Sequence, residues 1–196
     1  MPDCKSSEPP TLRGDETTVK ILVVGHFGAG KTTLVHGLSE IKPLSTEEVM
    51  TSAGVGIDHD ETPGKTTTTV AMDFGRVHLS DNLVLYLFGA PGQARFWEIF
   101  QDLATGALGA LVLTGTSRLE DTFPVLEQIE YLGLPYLVAV NAFDGEPQHP
   151  EERLRAAMDL PPGTRIVRCD ARDRASTRDA LVHLVTYLLS LEPEPA

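Results

Sequence analysis

The chain alternates between short apolar runs and longer segments in which apolar residues recur at helical spacing. The short runs are rich in aliphatic and β-branched residues, as strands are, and they occur at 19–25, 69–79, 83–88, 107–114, 136–140 and 165–168. The longer segments place apolar residues every three or four positions, and they occur at 31–43, 119–132, 150–158 and 176–191. The pattern therefore predicts six strands interleaved with helices.

Alternation of this kind is typical of a parallel sheet that is covered by helices on both faces. A polar turn at 80–82 joins the second strand to the third and indicates an antiparallel hairpin. We therefore expect an α/β protein of three layers, with a mostly parallel six-stranded sheet that has one antiparallel edge strand. Ligands of such sheets bind beyond the carboxyl ends of the strands, where several loops converge.

The length of 196 residues fits one domain, and the predicted elements place that domain at 18–191. Residues 1–17 are polar and contain proline, so we expect a disordered N-terminal arm. Residues 192–196 make a short tail. The polar connection at 44–66 is long for a loop, and connections of that length usually have a function.

The net charge of -12 argues against nucleic acid and against an anionic membrane surface as the main partner. Cys4 and Cys169 do not make a disulfide framework, which fits a reducing cytoplasm. No signal-peptide pattern opens the chain, and no apolar run approaches the roughly 18 residues of a spanning helix. We expect a cytoplasmic protein without direct membrane insertion, which only a partner would take to a membrane.

The most informative stretch lies between the first strand and the first helix. Residues 25–32 match the pattern G-x-x-x-x-G-K-[ST], in the strand, loop and helix context that this motif requires. Glycines in the loop let successive N–H groups point at phosphate oxygens, and the positive end of the following helix adds to the attraction. Lys31 supplies a charge to the outer phosphates, and the Thr32 hydroxyl is a ligand for Mg²⁺.

The motif makes the predicted sheet a P-loop NTPase fold. A glycine-rich turn that binds nothing is the alternative. The residues that we assign to the phosphates are Gly25, Phe27, Gly28, Ala29, Gly30, Lys31, Thr32 and Thr33.

Two later loops contain candidate base-binding residues. Asn141 and Asp144 follow the fifth strand, and a carboxylate there accepts two hydrogen bonds from the N1 and N2 donors of guanine, which adenine lacks on that edge. An ordinary turn also favours Asn and Asp, so the assignment depends on the phosphate loop. Asp170 and Ala171 follow the sixth strand, where backbone N–H groups would meet the guanine oxygen. A plain loop accounts for that stretch equally well.

Taken in order, these loops resemble those of the Ras-like small GTPases. The closest resemblance is to the bacterial MglA-type branch. Within that branch, the threonine-rich stretch 66–75 and the loop 90–93 are similar to those of the GTP-binding proteins of actinobacterial conservons, the CvnD type. The resemblance covers about residues 18–190.

The resemblance implies GTP or GDP with Mg²⁺ as the ligands. It implies that Thr69, with Thr68 second, is the threonine that senses the γ-phosphate through Mg²⁺. It further implies that the Gly92 N–H meets the γ-phosphate and that Gln93 orients the attacking water. The partners it implies are a roadblock-type regulatory protein and a membrane sensor-kinase-like component.

The sequence departs from the family pattern at three places. Gly89 stands where most small GTPases have an aspartate that supports Mg²⁺, so we expect weaker metal binding or more reliance on Thr32 and the threonine run. Ala142 replaces the lysine that covers the base. No arginine directly precedes Thr69, so we expect slow hydrolysis.

These observations favour a guanine-nucleotide-dependent molecular switch with slow GTP hydrolysis, which signals by binding partners. Gly89 and Ala142 favour a rival hypothesis, an adaptor that binds nucleotide without hydrolysing it. A third hypothesis is an ATP-using P-loop enzyme in which the threonine-rich segment acts as a lid.

Overall fold

The computed structural model describes residues 11–46, 72–92 and 96–191. Within these ranges one sheet has seven strands, in the order β2-β3-β4-β1-β5-β6-β7. The strands are β1 (Thr17–Val24), β2 (Leu44–Thr46), β3 (Met72–Ser80), β4 (Leu83–Gly89), β5 (Gly109–Thr114), β6 (Tyr136–Asn141) and β7 (Arg165–Cys169). Strand β3 runs antiparallel to both of its neighbours: it forms a hairpin with β4, which follows it in the chain, and it also pairs with β2.

Helices cover both faces of the sheet. They are α1 (Lys31–Leu38), α2 (Trp97–Ala104), α3 (Phe123–Tyr131), α4 (Glu151–Ala157) and α5 (Arg174–Ser190), with a 3₁₀ helix at Thr116–Thr122. Successive side chains of a strand point to opposite faces. Ile21 and Val23 of β1 accordingly lie in a core with α1 and α5, whereas Leu22 and Val24 lie in a second core with α2, α3 and α4.

The predicted three-layer α/β class with a mostly parallel sheet is confirmed. The sheet has one more strand than the six predicted, because the backbone at 44–46 pairs with β3 in the register Leu44 with Phe74. Three residues are too few to give an apolar pattern, so the sequence placed them in the connection. The antiparallel strand β3 therefore has a neighbour on each side instead of lying at the edge.

Two predicted helix boundaries are also corrected. Helix α1 ends at Leu38 and not near 43, since Ser39 has extended backbone angles and its N–H closes the last turn on Val35 O. Helix α5 begins at Arg174, two residues earlier than predicted, because the Asp173 side chain caps it by accepting from the Ala175 N–H. Such a cap satisfies a donor that the first turn leaves open.

The extent of the terminal segments stays a prediction. Residues 1–10 and 192–196 lie outside the described residues, and so do residues 69–71 of the predicted second strand. Among the helices that the structure describes, none is long and apolar enough to cross a membrane.

Candidate functional site

The loop between β1 and α1 lies at the carboxyl end of the central strand. Gly28 and Gly30 have φ of +81° and +101°, in the left-handed region that favours glycine. Gly30 also precedes the first helical residue, so the free N–H groups of the first turn of α1 open towards the loop. The loop therefore has the backbone shape of an anion cradle at a helix N-terminus.

Asn141 fixes the loop to the end of β7. Its side chain is 4% exposed, donates from Nδ2 to Ala29 O at 3.0 Å and accepts at Oδ1 from the Ala171 N–H at 2.9 Å. A Cβ at Gly30 would lie 2.6 Å from Asn141 Nδ2, which leaves no room for a side chain there. Asn141 is thus a buried brace that joins the loops after β1, β6 and β7.

Lys31 lies folded over the loop. Its Nζ donates to Gly25 O at 2.8 Å and to His26 O at 2.9 Å. Loss of solvent around the ammonium lowers the pKa of Lys31 to about 8, and the nearby Asp73 carboxylate acts in the opposite direction. A desolvated ammonium that is paired mainly with neutral carbonyl oxygens gains from a nearby anion.

The two residues between Gly25 and Gly28 differ in burial. His26 is buried and its Nδ1–H donates to Phe27 O at 2.7 Å, while its Nε2 has no hydrogen-bond partner. Burial lowers the pKa of His26, so the ring is neutral near pH 7. Phe27 is 73% exposed at the rim of the loop.

A carboxylate lies beside the loop on a neighbouring strand. Asp73 of β3 is 3% exposed, and its Oδ2 accepts from the Thr32 hydroxyl at 2.6 Å. Its Oδ1 lies 3.0 Å from His36 Nε2 of α1. Asp73 pairs with Gly89 of β4, and a Cβ built on Gly89 would lie 3.0 Å from Asp73 Cβ and 3.3 Å from Asp73 Oδ2. The Asp73 carboxylate thus occupies the space that a side chain at 89 would take.

Gly92 packs directly on the phosphate loop. A Cβ there would lie 2.4 Å from Gly25 O and 3.0 Å from Phe27 N, so a larger residue cannot replace it without displacing backbone. The loop after β4 therefore meets the loop after β1 at the carboxyl end of the sheet.

Arg172 joins two of the predicted base-binding residues, Asp144 and Asp170. Asp144 is solvent-exposed, and Arg172 Nη1 and Nη2 donate to its Oδ2 and Oδ1 at 2.8 and 3.1 Å. Arg172 also donates to both oxygens of Asp170 at 3.0 Å. These hydrogen bonds from the guanidinium hold the pKa of Asp144 and of Asp170 below the usual range.

The family described as "Conserved hypothetical ATP binding protein" matches residues 23–191. The chain belongs to this family. The match includes the whole phosphate loop and both later loops. No curated protein matched the sequence.

Solved structures show where else this family's fold occurs. The G domain of the FeoB iron transporter from T. maritima has 17% identity and a TM-score of 0.60, over 87% of this chain and 99% of that one. The FeoB G domain from Methanococcus jannaschii has 13% identity and a TM-score of 0.59, over 88% and 99% of the two chains. Elongation factor SelB from Methanococcus maripaludis, solved with the GTP analogue GPPNHP, has 19% identity and a TM-score of 0.63 over 91% of this chain and 35% of that one. At these identities the likeness shows a shared G-domain fold.

In this member of the ATP-binding-protein family, most of the predicted site residues come together. They meet at the carboxyl ends of β1, β4, β6 and β7. They are the loop residues Gly25 to Lys31, the side chains of Thr32 and Asn141, and the residues Gly92 and Ala171. Thr33 is exposed in the first turn of α1. Thr69 and Gln93 lie outside the described residues, and their predicted roles stay predictions.

Sequence reasoning missed two residues of the site. Neither Asp73 nor Arg172 was among the predicted site residues. The glycine at position 89 indicated that the metal-supporting carboxylate must come from elsewhere. Only the register of β3 on β4 shows that Asp73 lies opposite Gly89. The signal for Arg172 was the vacant lysine position at Ala142, whose carbonyl lies 3.4 Å from Arg172 Nη2.

Proposed function

We propose that the protein is a guanine-nucleotide-binding molecular switch that hydrolyses GTP slowly. The observation that carries the proposal is the arrangement of Lys31. Its ammonium is desolvated over a loop of left-handed glycines at the N-terminus of α1, where the nearby polar groups suit a polyphosphate. Backbone N–H groups of the loop would hold the phosphates, and the Lys31 ammonium would exchange a carbonyl for a phosphate oxygen.

The donor set beside the loop also fits Mg²⁺. Thr32 Oγ1 and Asp73 Oδ2 are hard oxygen ligands 2.6 Å apart, and Mg²⁺ is usually bound by one or two such groups together with phosphates and water. Thr32 and Asp73 would hold the ion, which would supply charge neutralisation to the phosphates. In this proposal Asp73 supplies, from the adjacent strand, the metal-supporting carboxylate that Gly89 lacks.

The switch itself would involve the loops that meet the γ-phosphate. Gly92 packs on Gly25 and Phe27 of the cradle, which supports the proposal that its N–H binds the outer phosphate. In our proposal Thr69 senses the γ-phosphate through the metal, and loss of that phosphate releases both loops. A roadblock-type regulatory protein and a membrane sensor-kinase-like component would bind one of the two states.

Gln93→Leu tests the hydrolytic part of the proposal. If Gln93 orients the attacking water, the variant should release phosphate from GTP about 10- to 100-fold more slowly than the wild type, with GDP affinity unchanged. Single-turnover phosphate release measures both proteins. Equal rates at the background level would instead support the adaptor that binds nucleotide without hydrolysing it.

The choice of base decides between the switch and an ATP-using enzyme, and the family's description names ATP as a ligand. GTP and GDP should displace a fluorescent guanine nucleotide at least about tenfold more effectively than ATP, because adenine offers the Asp144 carboxylate no pair of donors on that edge. Asp144→Asn should reduce the preference for GTP and GDP over ATP. Equal or better competition by ATP, with no effect of Asp144→Asn, would contradict guanine recognition and favour the ATP-using enzyme.

A further inference from the structure

Arg172 lies between the two carboxylates of the base site. Its side chain makes a two-point contact with Asp144 through Nη1 and Nη2, at 2.8 and 3.1 Å, and a second one with Asp170 through Nε and Nη2, both at 3.0 Å. Its backbone N–H also donates to Asp170 Oδ1 at 2.9 Å. The guanidinium therefore stays close to Asp170 even when its contact with Asp144 is absent.

The donors that Arg172 offers are chemically those of guanine. The edge of guanine that a carboxylate recognises is an N–C–N unit with one N–H on each nitrogen, and a guanidinium presents the same unit with the same spacing. Both bind a carboxylate by two parallel hydrogen bonds. In this structure Arg172 donates to both oxygens of Asp144, the two acceptors that the base would use.

We propose that Arg172 is a built-in competitor for guanine, which lowers the affinity of the site for guanine nucleotides and narrows its preference over adenine nucleotides. The proposal rests on the function proposed above. When guanine binds, the Asp144 carboxylate exchanges Arg172 for the base, and Arg172 retains its two-point contact with Asp170. Adenine makes no use of the carboxylate on that edge, so its binding leaves the Arg172–Asp144 pair in place.

The direction of the change in nucleotide affinity when Arg172 is removed separates a competitor from two other roles, a charge that attracts the phosphates and a side chain that stacks on the base. Loss of a positive charge near an anionic ligand weakens binding of every nucleotide. Loss of a side chain that stacks on the base also weakens binding of guanine and adenine alike. Only removal of a competitor strengthens guanine binding while leaving adenine binding unchanged.

The test compares Arg172→Gln with a matched control, Arg155→Gln. Arg155 makes an ion pair with Glu151 in α4 at 2.8 Å and also donates to Pro161 O, and it takes no part in the site. Isothermal calorimetry with GDP and ADP in the presence of Mg²⁺ should give Arg172→Gln about three- to tenfold tighter GDP binding and unchanged ADP binding, as expected for a surface ion pair of good geometry. Arg155→Gln should match the wild type for both.

A second variant and a salt series extend the test. Arg172→Lys keeps the charge but not the paired donors, so its GDP affinity should lie between those of the wild type and Arg172→Gln. Added salt screens exposed ion pairs, so the gap between wild type and Arg172→Gln should shrink from low salt to about 1 M. A thermal unfolding curve verifies that each variant is folded.

Three results would overturn the proposal. They are unchanged GDP affinity in Arg172→Gln, weaker binding of GDP and ADP together, and an equal gain for both nucleotides. Failure of the proposed function looks different, because then the wild type itself prefers ATP or binds no nucleotide at all.

Discussion

Lys31→Ala is expected to weaken GTP and GDP binding by at least about a hundredfold, since each charged hydrogen bond to a phosphate is worth roughly 1.5–3 kcal/mol. The wild-type ammonium is already desolvated over the loop, and its present partners are Gly25 O and His26 O. The variant loses the one cation whose Nζ is hydrogen-bonded to the phosphate loop among the described residues. Calorimetric titration measures the change.

The matched control for this variant is Lys42→Ala, which removes an exposed lysine beyond the end of α1. It should bind nucleotide like the wild type. Retained affinity in Lys31→Ala, within about threefold, would contradict the assignment of the phosphate site.

The same residue gives the expected pH dependence. The pKa of Lys31 is about 8 in the protein without ligand, and a bound phosphate raises it. Affinity should therefore change little between about pH 6.5 and 7.5, where the phosphates are ionised, and fall above about pH 8, because the free protein must then take up a proton to bind.

Asp73→Ala is expected to remove the dependence of GTP binding on Mg²⁺ and to slow phosphate release by about 100-fold, since a metal clamp contributes several kcal/mol to phosphoryl transfer. The carboxylate is 3% exposed and contacts Thr32 Oγ1 at 2.6 Å, so the variant loses the carboxylate that lies beside the Thr32 hydroxyl. Nucleotide titration with Mg²⁺ and with EDTA measures the metal dependence.

The pairing of Asp73 with Gly89 supplies a sharper variant. Because a Cβ at 89 would lie 3.0 Å from Asp73 Cβ, only one of the two positions has room for a carboxylate. The exchange Asp73→Gly with Gly89→Asp should recover at least part of the Mg²⁺ dependence, whereas Gly89→Asp alone should destabilise the protein. Full Mg²⁺ dependence in Asp73→Ala would remove Asp73 from the metal site.

Local patterns in the sequence predicted the parts of the site that depend on neighbouring residues. The phosphate loop is one such part, because Gly28, Gly30 and Lys31 set its shape within a few positions of each other. The parallel order of the sheet is another, since it follows from alternating strands and helices.

The parts that were missed depend on contacts between distant segments. Asp73 reaches Thr32 only because β3 pairs antiparallel with β4, and no local pattern gives that register. The bracing contacts of Asn141 are another such part, because its amide joins Ala29 O to the Ala171 N–H, two groups that lie far apart in the sequence. The strand at 44–46 depends equally on its pairing with β3.

The proposed function depends most on one property: the loop after β1 binds a polyphosphate through its backbone N–H groups. Two-dimensional ¹H–¹⁵N NMR of the wild type, titrated with GDP and Mg²⁺, observes those N–H groups directly, and Lys31→Ala serves as the control. We expect the largest shifts at the amides of 28–33, with smaller shifts at Asn141, Ala171 and their neighbours, and none of these in Lys31→Ala. Unchanged amides at 28–33, or shifts confined to another surface, would contradict the account.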